Sequence, residues 1–184
     1  IGGRPVYPYQ PDQVWEPLAI TKERDFTYPL SSGADLYRRS LYTFWRRTVA
    51  PANMFDAANR QTCRVRASLT STPLHALTTL NDPTWVEAAR LLATDLTREH
   101  TSPEERLRWA FYRIVCRPVR DAELVVLKRA YEKQLAIYQG NPDLAKQLVS
   151  VGAAPNSSDS ASEPLAALTQ VCLGILNLDE ALTR

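Results

Sequence analysis

A chain of 184 residues has room for one domain of ordinary size, able to bury about two thirds of the surface its unfolded form exposes. Its composition, 45% apolar and 23% charged with a mean hydropathy of −0.30, is that of a folding globular chain and excludes wholesale disorder. No apolar run approaches the ~20 residues of a membrane-spanning helix, and a net charge of +2 argues against a dedicated nucleic-acid binder.

Ile1 opens the chain and Met54 is its only methionine, which points to a piece of a longer protein. Residues 1–33 read as an extended arm, because Pro5, Pro8, Pro11, Pro17 and Pro29 each remove a backbone donor and push the preceding residue away from the helical region. Tyr7, Tyr9, Trp15, Phe26 and Tyr28 give the arm a reason to pack, and the expectation is that it wraps a helical body.

From Asp35 the period changes. Tyr37, Leu41, Phe44, Trp45 and Thr48 recur at helical spacing, with Arg38, Arg39, Arg46 and Arg47 largely off that stripe, so the pattern predicts an amphipathic helix over 35–48, ended by Pro51. Residues 51–72 carry no period and read as an ordered polar loop.

The remainder predicts a series of helices with clear start and stop signals. Thr72-Pro73 and Asn81-Asp82-Pro83 each place a capping side chain before a proline at the first helical position. Ser102-Pro103-Glu104-Glu105 reads as a capping box, with Leu107, Phe111, Ile114 and Val115 facing inward. A helix from Asp121 buries Leu124, Leu127, Tyr131, Leu135 and Tyr138 until Gly140-Asn141-Pro142 stops it. A shorter one carries Leu144 and Leu148 and closes at Gly152, a polar loop spans 153–163, and Pro164 opens a last helix through Leu165, Leu168, Cys172 and Ile175. The fold expected is all-α, an irregular bundle of six or seven helices (34–184) with the extended arm (1–33) packed on it as one domain.

Chemistry is harder to find. Cys63, Cys116 and Cys172 lie 53 and 56 residues apart, so neither a zinc spacing nor a haem-attachment CxxCH is present, and Cys116 and Cys172 fall on apolar helix positions that predict buried, inert thiols. His75 and His100 have no second ligand at metal-binding spacing, and both read as structural residues, His100 as the end of a helix. No phosphate-cradling glycine loop is present. Residues 1–72 hold 10 basic and 6 acidic groups, and the densest polar cluster lies at the end of that half. Asp56, Arg60, Arg64 and Arg66, followed by Asn81 and Asp82 at a helix start, form the candidate ligand- or partner-binding set, since guanidinium forks and free helix amides together gather anionic or hydroxyl-rich groups. The same arginines could clamp the chain's own carbonyls and carboxylates. Asp82 itself reads foremost as a helix cap.

The run DLYRRSLYTFWRRT (35–48), the spaced Asp56, Arg60, Cys63 and Arg66, the block TPLHALTTLNDPTWVEAAR (72–90), the closing NLDEALTR and the opening GGRPVYPYQPDQVW make the sequence similar over its whole length to a family of C-terminal domains of unknown function. That family belongs to large exported planctomycete proteins that often also carry a planctomycete-type cytochrome c domain. Two departures stand out: His75 where relatives commonly have an amide, and Val115-Cys116-Arg117-Pro118-Val119-Arg120 in place of LGRPPT, which exchanges a small turn residue for Cys116 and a capping threonine for Arg120. The resemblance implies export to a periplasm-like compartment or the cell surface, a companion domain or chain of the same parent as partner, no cofactor in this chain, and c-type haem elsewhere in the parent. It implies no reaction and no catalytic residues. Two functions follow as expectations: an accessory, non-catalytic interaction domain, or a hydrolase or redox enzyme acting on polysaccharide through the 56–66 loop and the Asn81-Asp82 start.

Overall fold

The computed structural model describes residues 3–10, 28–44, 73–155 and 162–182. The chain divides into two compact units, residues 1–78 and residues 79–184. In the first, the Val6 N–H donates to the Tyr42 carbonyl at 2.8 Å and the Phe44 N–H to the Val6 carbonyl at 2.7 Å, a parallel bridge between Val6 and Thr43. Tyr7 meets Tyr28 edge-on with ring centroids 5.5 Å apart and Phe44 at 4.8 Å. The Tyr28 hydroxyl donates to the Pro8 carbonyl at 2.7 Å, and burial pushes that phenol up to about 12.

The helix expected over 35–48 is not formed in its described part. Two 3-10 turns, Gly33–Tyr37 and Ser40–Tyr42, stand there instead, separated by Arg38 in extended backbone (φ −86°, ψ 158°). Backbone pairing explains the difference: Val6 takes the Tyr42 carbonyl and the Phe44 N–H, groups that an α-helix would need for its own ladder. The supposed apolar stripe is not buried either, since Leu41 is 86% exposed. Arg38 folds back locally onto the Asp35 carboxylate, with Nη2 at 2.6 Å. Trp45, Thr48 and the whole loop 51–72, with Cys63, lie outside the described residues, as does the Thr72 cap.

Among the described residues there are seven α-helices and no strand, the all-α fold that the sequence predicts. They are α1 (Pro73–Asn81), α2 (Pro83–Glu99), α3 (Pro103–Val115), α4 (Asp121–Gly140), α5 (Pro142–Val149), α6 (Ser162–Leu176) and α7 (Asp179–Leu182). Four of the first five start at a proline, which fits the first helical turn because the N–H it lacks would have no partner there. Asp82 caps α2, its Oδ1 accepting from the Thr84 N–H at 2.8 Å. Ser102 occupies the cap of α3 but makes no side-chain cap bond, so the capping box expected there is absent. Carboxylate back-bonding occurs instead at α4, where Glu123 accepts from the Arg120 N–H at 2.9 Å. That bond is the half of a capping box that needs no side-chain acceptor at position 120.

α6 is the axis of the second unit and packs against α2, α3, α4, α5 and α7. Leu165, Leu168, Cys172 and Ile175 are buried as expected, together with Ala166, Ala167, Thr169, Val171 and Leu173, so the helix is apolar nearly all round, as a central helix must be. Val86, Ala89, Ala93 and Leu96 of α2, Leu107, Ala110, Phe111 and Val115 of α3, and Leu124 of α4 complete the main core. A smaller cluster joins Tyr138 and Ala145 to Ala166 and Ala167. Each large aliphatic side chain fully buried in this way contributes roughly 1.5–3 kcal/mol. One polar tie crosses the same unit, from the Thr79 hydroxyl to Asn177 Oδ1 at 2.6 Å.

A buried ion pair sits within this packing. Arg90, only 1% exposed, donates from Nε to the Val151 carbonyl at 3.2 Å and from Nη2 to the Ala154 carbonyl at 2.9 Å. Glu87, one turn earlier on α2, stands 3.9 Å from Arg90 and accepts from the Ala154 N–H at 2.6 Å. The two side chains thereby hold the turn after α5, where Gly152 takes φ +104°.

Candidate functional site

Of the residues singled out from sequence, Asn81 is exposed and Asp82 buried at the α1–α2 joint, the latter engaged as a cap. Asp56, Arg60, Arg64 and Arg66 lie outside the described residues. Cys172 is fully buried, and burial pushes its thiol up to about 12, which removes the thiolate at neutral pH. Cys116, expected to be buried, is exposed. It is the C-cap of α3 in left-handed backbone (φ 60°), its N–H donating to the Tyr112 carbonyl at 2.9 Å. This is the turn position where small residues are favoured, so the tight exit from α3 is kept while a side chain is forced into solvent. Among the described residues no group of three His, Cys, Asp or Glu side chains comes together, and no helix is long and apolar enough to cross a membrane.

The site the sequence reading missed is on α3. With Leu107, Ala110, Phe111 and Val115 committed to the core, Trp109 and Tyr112, three residues apart, fall on the outer face and remain 42% and 48% exposed. Their rings meet edge-to-face, centroids 5.6 Å apart. Across from them, the extended exit from α3 brings Pro118 and Val119, and the five residues Arg108, Trp109, Tyr112, Pro118 and Val119 line a cavity of about 250 Å³. Val119 forms a buried apolar wall. His100, the C-cap of α2, lies flat against the indole of Trp109 with centroids 5.4 Å apart and planes 10° from parallel. The one signal available in sequence was a pair of large aromatic residues off the buried stripe of α3.

Charge around this trough is internally neutralised. Arg108 donates to Glu104 Oε1 from Nε and Nη2 at 3.2 and 3.0 Å and stands 3.9 Å from Asp121. Lys128 donates to the other Glu104 oxygen. These two donors, Lys128 foremost, hold the Glu104 carboxyl below the usual carboxylate range. Arg113 on the next turn binds Glu99 and holds that carboxyl down in the same way. Behind the trough, Arg117 grips Glu123 and Glu180 at 2.7–2.9 Å and lies over the Phe111 ring, 4.7 Å from its centroid. That cluster ties α7 to the α3–α4 connection and fixes the position of Pro118.

An all-α domain with an aromatic trough on one outer helix is what the fold and the site define. The chain belongs to the PSD1 family, described as a protein of unknown function (DUF1553), whose model matches residues 1–131. The match covers the first unit, α1 to α3 and α4 as far as Tyr131, and stops before α5–α7, a shorter span than the whole-length resemblance expected. Neither the search of curated proteins nor that of solved structures finds a match to the chain.

Proposed function

We propose that this domain is an accessory, non-catalytic interaction module of a multidomain exported bacterial protein, and that it holds a companion domain or chain of its parent on the outer face of α3. The observation that supports the reading is the exposure of Trp109 and Tyr112 beside Pro118 and Val119, an apolar trough large enough to seat a side chain or two of a partner. The planctomycete-type resemblance of the sequence supports the setting, a periplasm-like compartment or the cell surface, with c-type haem carried by another part of the parent. The module's own work is recognition, since its charged groups around the trough are already satisfied within the chain.

Association with the remainder of the parent protein, followed by size-exclusion chromatography and titration calorimetry, is the test. The expected result is a stable complex that Trp109→Ala weakens by roughly 30-fold, the effect of losing about 2 kcal/mol at an aromatic hot spot. No association, or a complex indifferent to Trp109→Ala and Tyr112→Ala in variants that melt like the parent chain, would refute the reading.

A further inference from the structure

α7 is short and shallow. It has four residues, none of them buried. Its turn is closed by the Ala181 and Leu182 N–H groups, which donate to the Leu178 carbonyl at 2.9 and 3.2 Å. A single turn of helix has no stability of its own, so α7 stands by what it is fastened to.

The fastening is the guanidinium of Arg117, 63 residues earlier, whose Nε and Nη2 donate to the two Glu180 oxygens at 2.7 and 2.8 Å. Both side chains reach solvent, at 21% and 39% exposure, so water takes over such a pair readily. Release strands no charge either. When Glu180 leaves, Arg117 keeps both oxygens of Glu123 at 2.8 and 2.9 Å, the Pro118 carbonyl at 3.2 Å and the Phe111 ring beneath it. One guanidinium therefore serves two carboxylates in different ways. Glu123, six residues on, braces the α3–α4 connection itself, and Glu180 hangs α7 on that brace.

The opening also has a built-in stop. Asn177 directly follows α6, its N–H donating to the Leu173 carbonyl at 3.1 Å and its side-chain oxygen accepting from the Thr79 hydroxyl at 2.6 Å, and Thr79 is 1% exposed. Leu178, next in the chain, is 42% exposed. Motion that begins in α7 thus ends at the Asn177–Leu178 step, and α6 stays in place with its buried residues.

We propose that α7 is a salt-sensitive strap, closed by Arg117 on Glu180 and hinged at Asn177–Leu178, that opens as a unit while the rest of the helical body stays folded. Closed, it adds a second hold on the α3–α4 connection. Open, it turns the Nε edge of the Arg117 guanidinium to solvent. The device is independent of the proposed partner surface, since it uses neither Trp109 nor Tyr112.

Amide hydrogen exchange of the full chain, followed residue by residue by NMR, is the test. At low ionic strength the Ala181 and Leu182 amides should be protected, yet exchange faster than the Asn177 amide. They should exchange faster again at ~1 M salt, where charges are screened beyond ~3 Å. Glu180→Gln should speed exchange of those two amides by about twofold to fivefold, the weight of an exposed ion pair, and abolish their response to salt. Because Glu180 stands at the rim, the variant is expected to melt close to the parent chain, and the Leu173 and Asn177 amides should keep their rates. Three results overturn the strap in the parent chain or the variant: α7 amides that exchange no faster than Asn177, α7 amides unprotected even at low salt, or rates and salt response that Glu180→Gln leaves unchanged. Equal acceleration of the α6 amides by Glu180→Gln overturns it too, since α7 would then open only with the body.

Discussion

Arg90 and Arg117 make nearly the same kind of contact in two different places. Arg90 lies inside the second unit, 1% exposed, and spends its guanidinium on two backbone carbonyls and one carboxylate of its own helix. Arg117 lies at the rim, with side-chain exposure of 21%, and forks onto two carboxylates from α4 and α7. The difference between them is the solvent. Water screens the rim cluster and can replace any partner removed, whereas nothing replaces a partner lost around Arg90. The buried pair thus fixes a single conformation for the turn after α5, and the rim cluster adjusts the position of Pro118 and α7 without being essential to the core.

The largest effect that would break this contrast is at Arg90. Arg90→Met removes the charge but keeps most of the volume. It leaves the Glu87 carboxylate buried without its cation and the Val151 and Ala154 carbonyls without donors, so the expected loss is about 3–5 kcal/mol in urea denaturation. Adding Glu87→Gln should recover part of that loss, because the stranded charge is then gone. A double variant no more stable than Arg90→Met would show that the carbonyl bonds alone matter.

The next effect sharpens the same comparison from the side of the loop. A Cβ built on Gly152 would lie 2.5 Å from the Glu87 carboxyl carbon, and φ there is +104°, outside the range that side chains tolerate. Glu87 cannot swing away without releasing the Ala154 N–H and its contact with Arg90. Gly152→Ala is therefore expected to cost about 2 kcal/mol, read as a lowered urea midpoint at unchanged slope. An exposed glycine of α4, Gly140, has nothing within reach of an added Cβ, and Gly140→Ala serves as the control.

What the sequence disclosed follows the range over which the physics acts. The prolines that open α1, α2, α3 and α5, the Asp82 cap and the inward residues of α3 and α6 are local or periodic signals, and they stand as read, whereas the last helix starts at Ser162, two residues before the proline expected to open it. The helix expected over 35–48 is not formed in its described part, up to Phe44, because its period was satisfied while a backbone partner 37 residues away, Val6 for Thr43, claimed its hydrogen-bonding groups. Arg90 could not be distinguished from any surface arginine, since its acceptors lie 61 and 64 residues further on and are main-chain atoms with no residue signature. The trough was missed for a related reason: the apolar stripe of α3 accounts for Leu107 and Phe111, and only packing shows that Trp109 and Tyr112 are left over.

The smallest effect at neutral pH belongs to the rim, where the comparison becomes a question of acid stability. The Arg117 guanidinium, followed by the Arg120 N–H, holds the Glu123 carboxyl down to about 2 in the folded chain, against roughly 4.3 for an unfolded glutamate. A carboxylate depressed in this way stabilises the fold fully above the unfolded value and loses that contribution as pH falls from about 4 towards about 2. Arg117→Gln removes the main cause of the depression, so its deficit relative to the parent chain should be present at pH 7, shrink through that window and nearly vanish at its acid end. Salt should shrink it as well, since exposed charges are screened over about 10 Å at 0.1 M ionic strength. The Arg90→Met deficit should respond far less to salt, because its partners are buried and two of the three are uncharged. Equal salt sensitivity of the two variants in paired urea titrations would mean that burial is not what separates the two arginines.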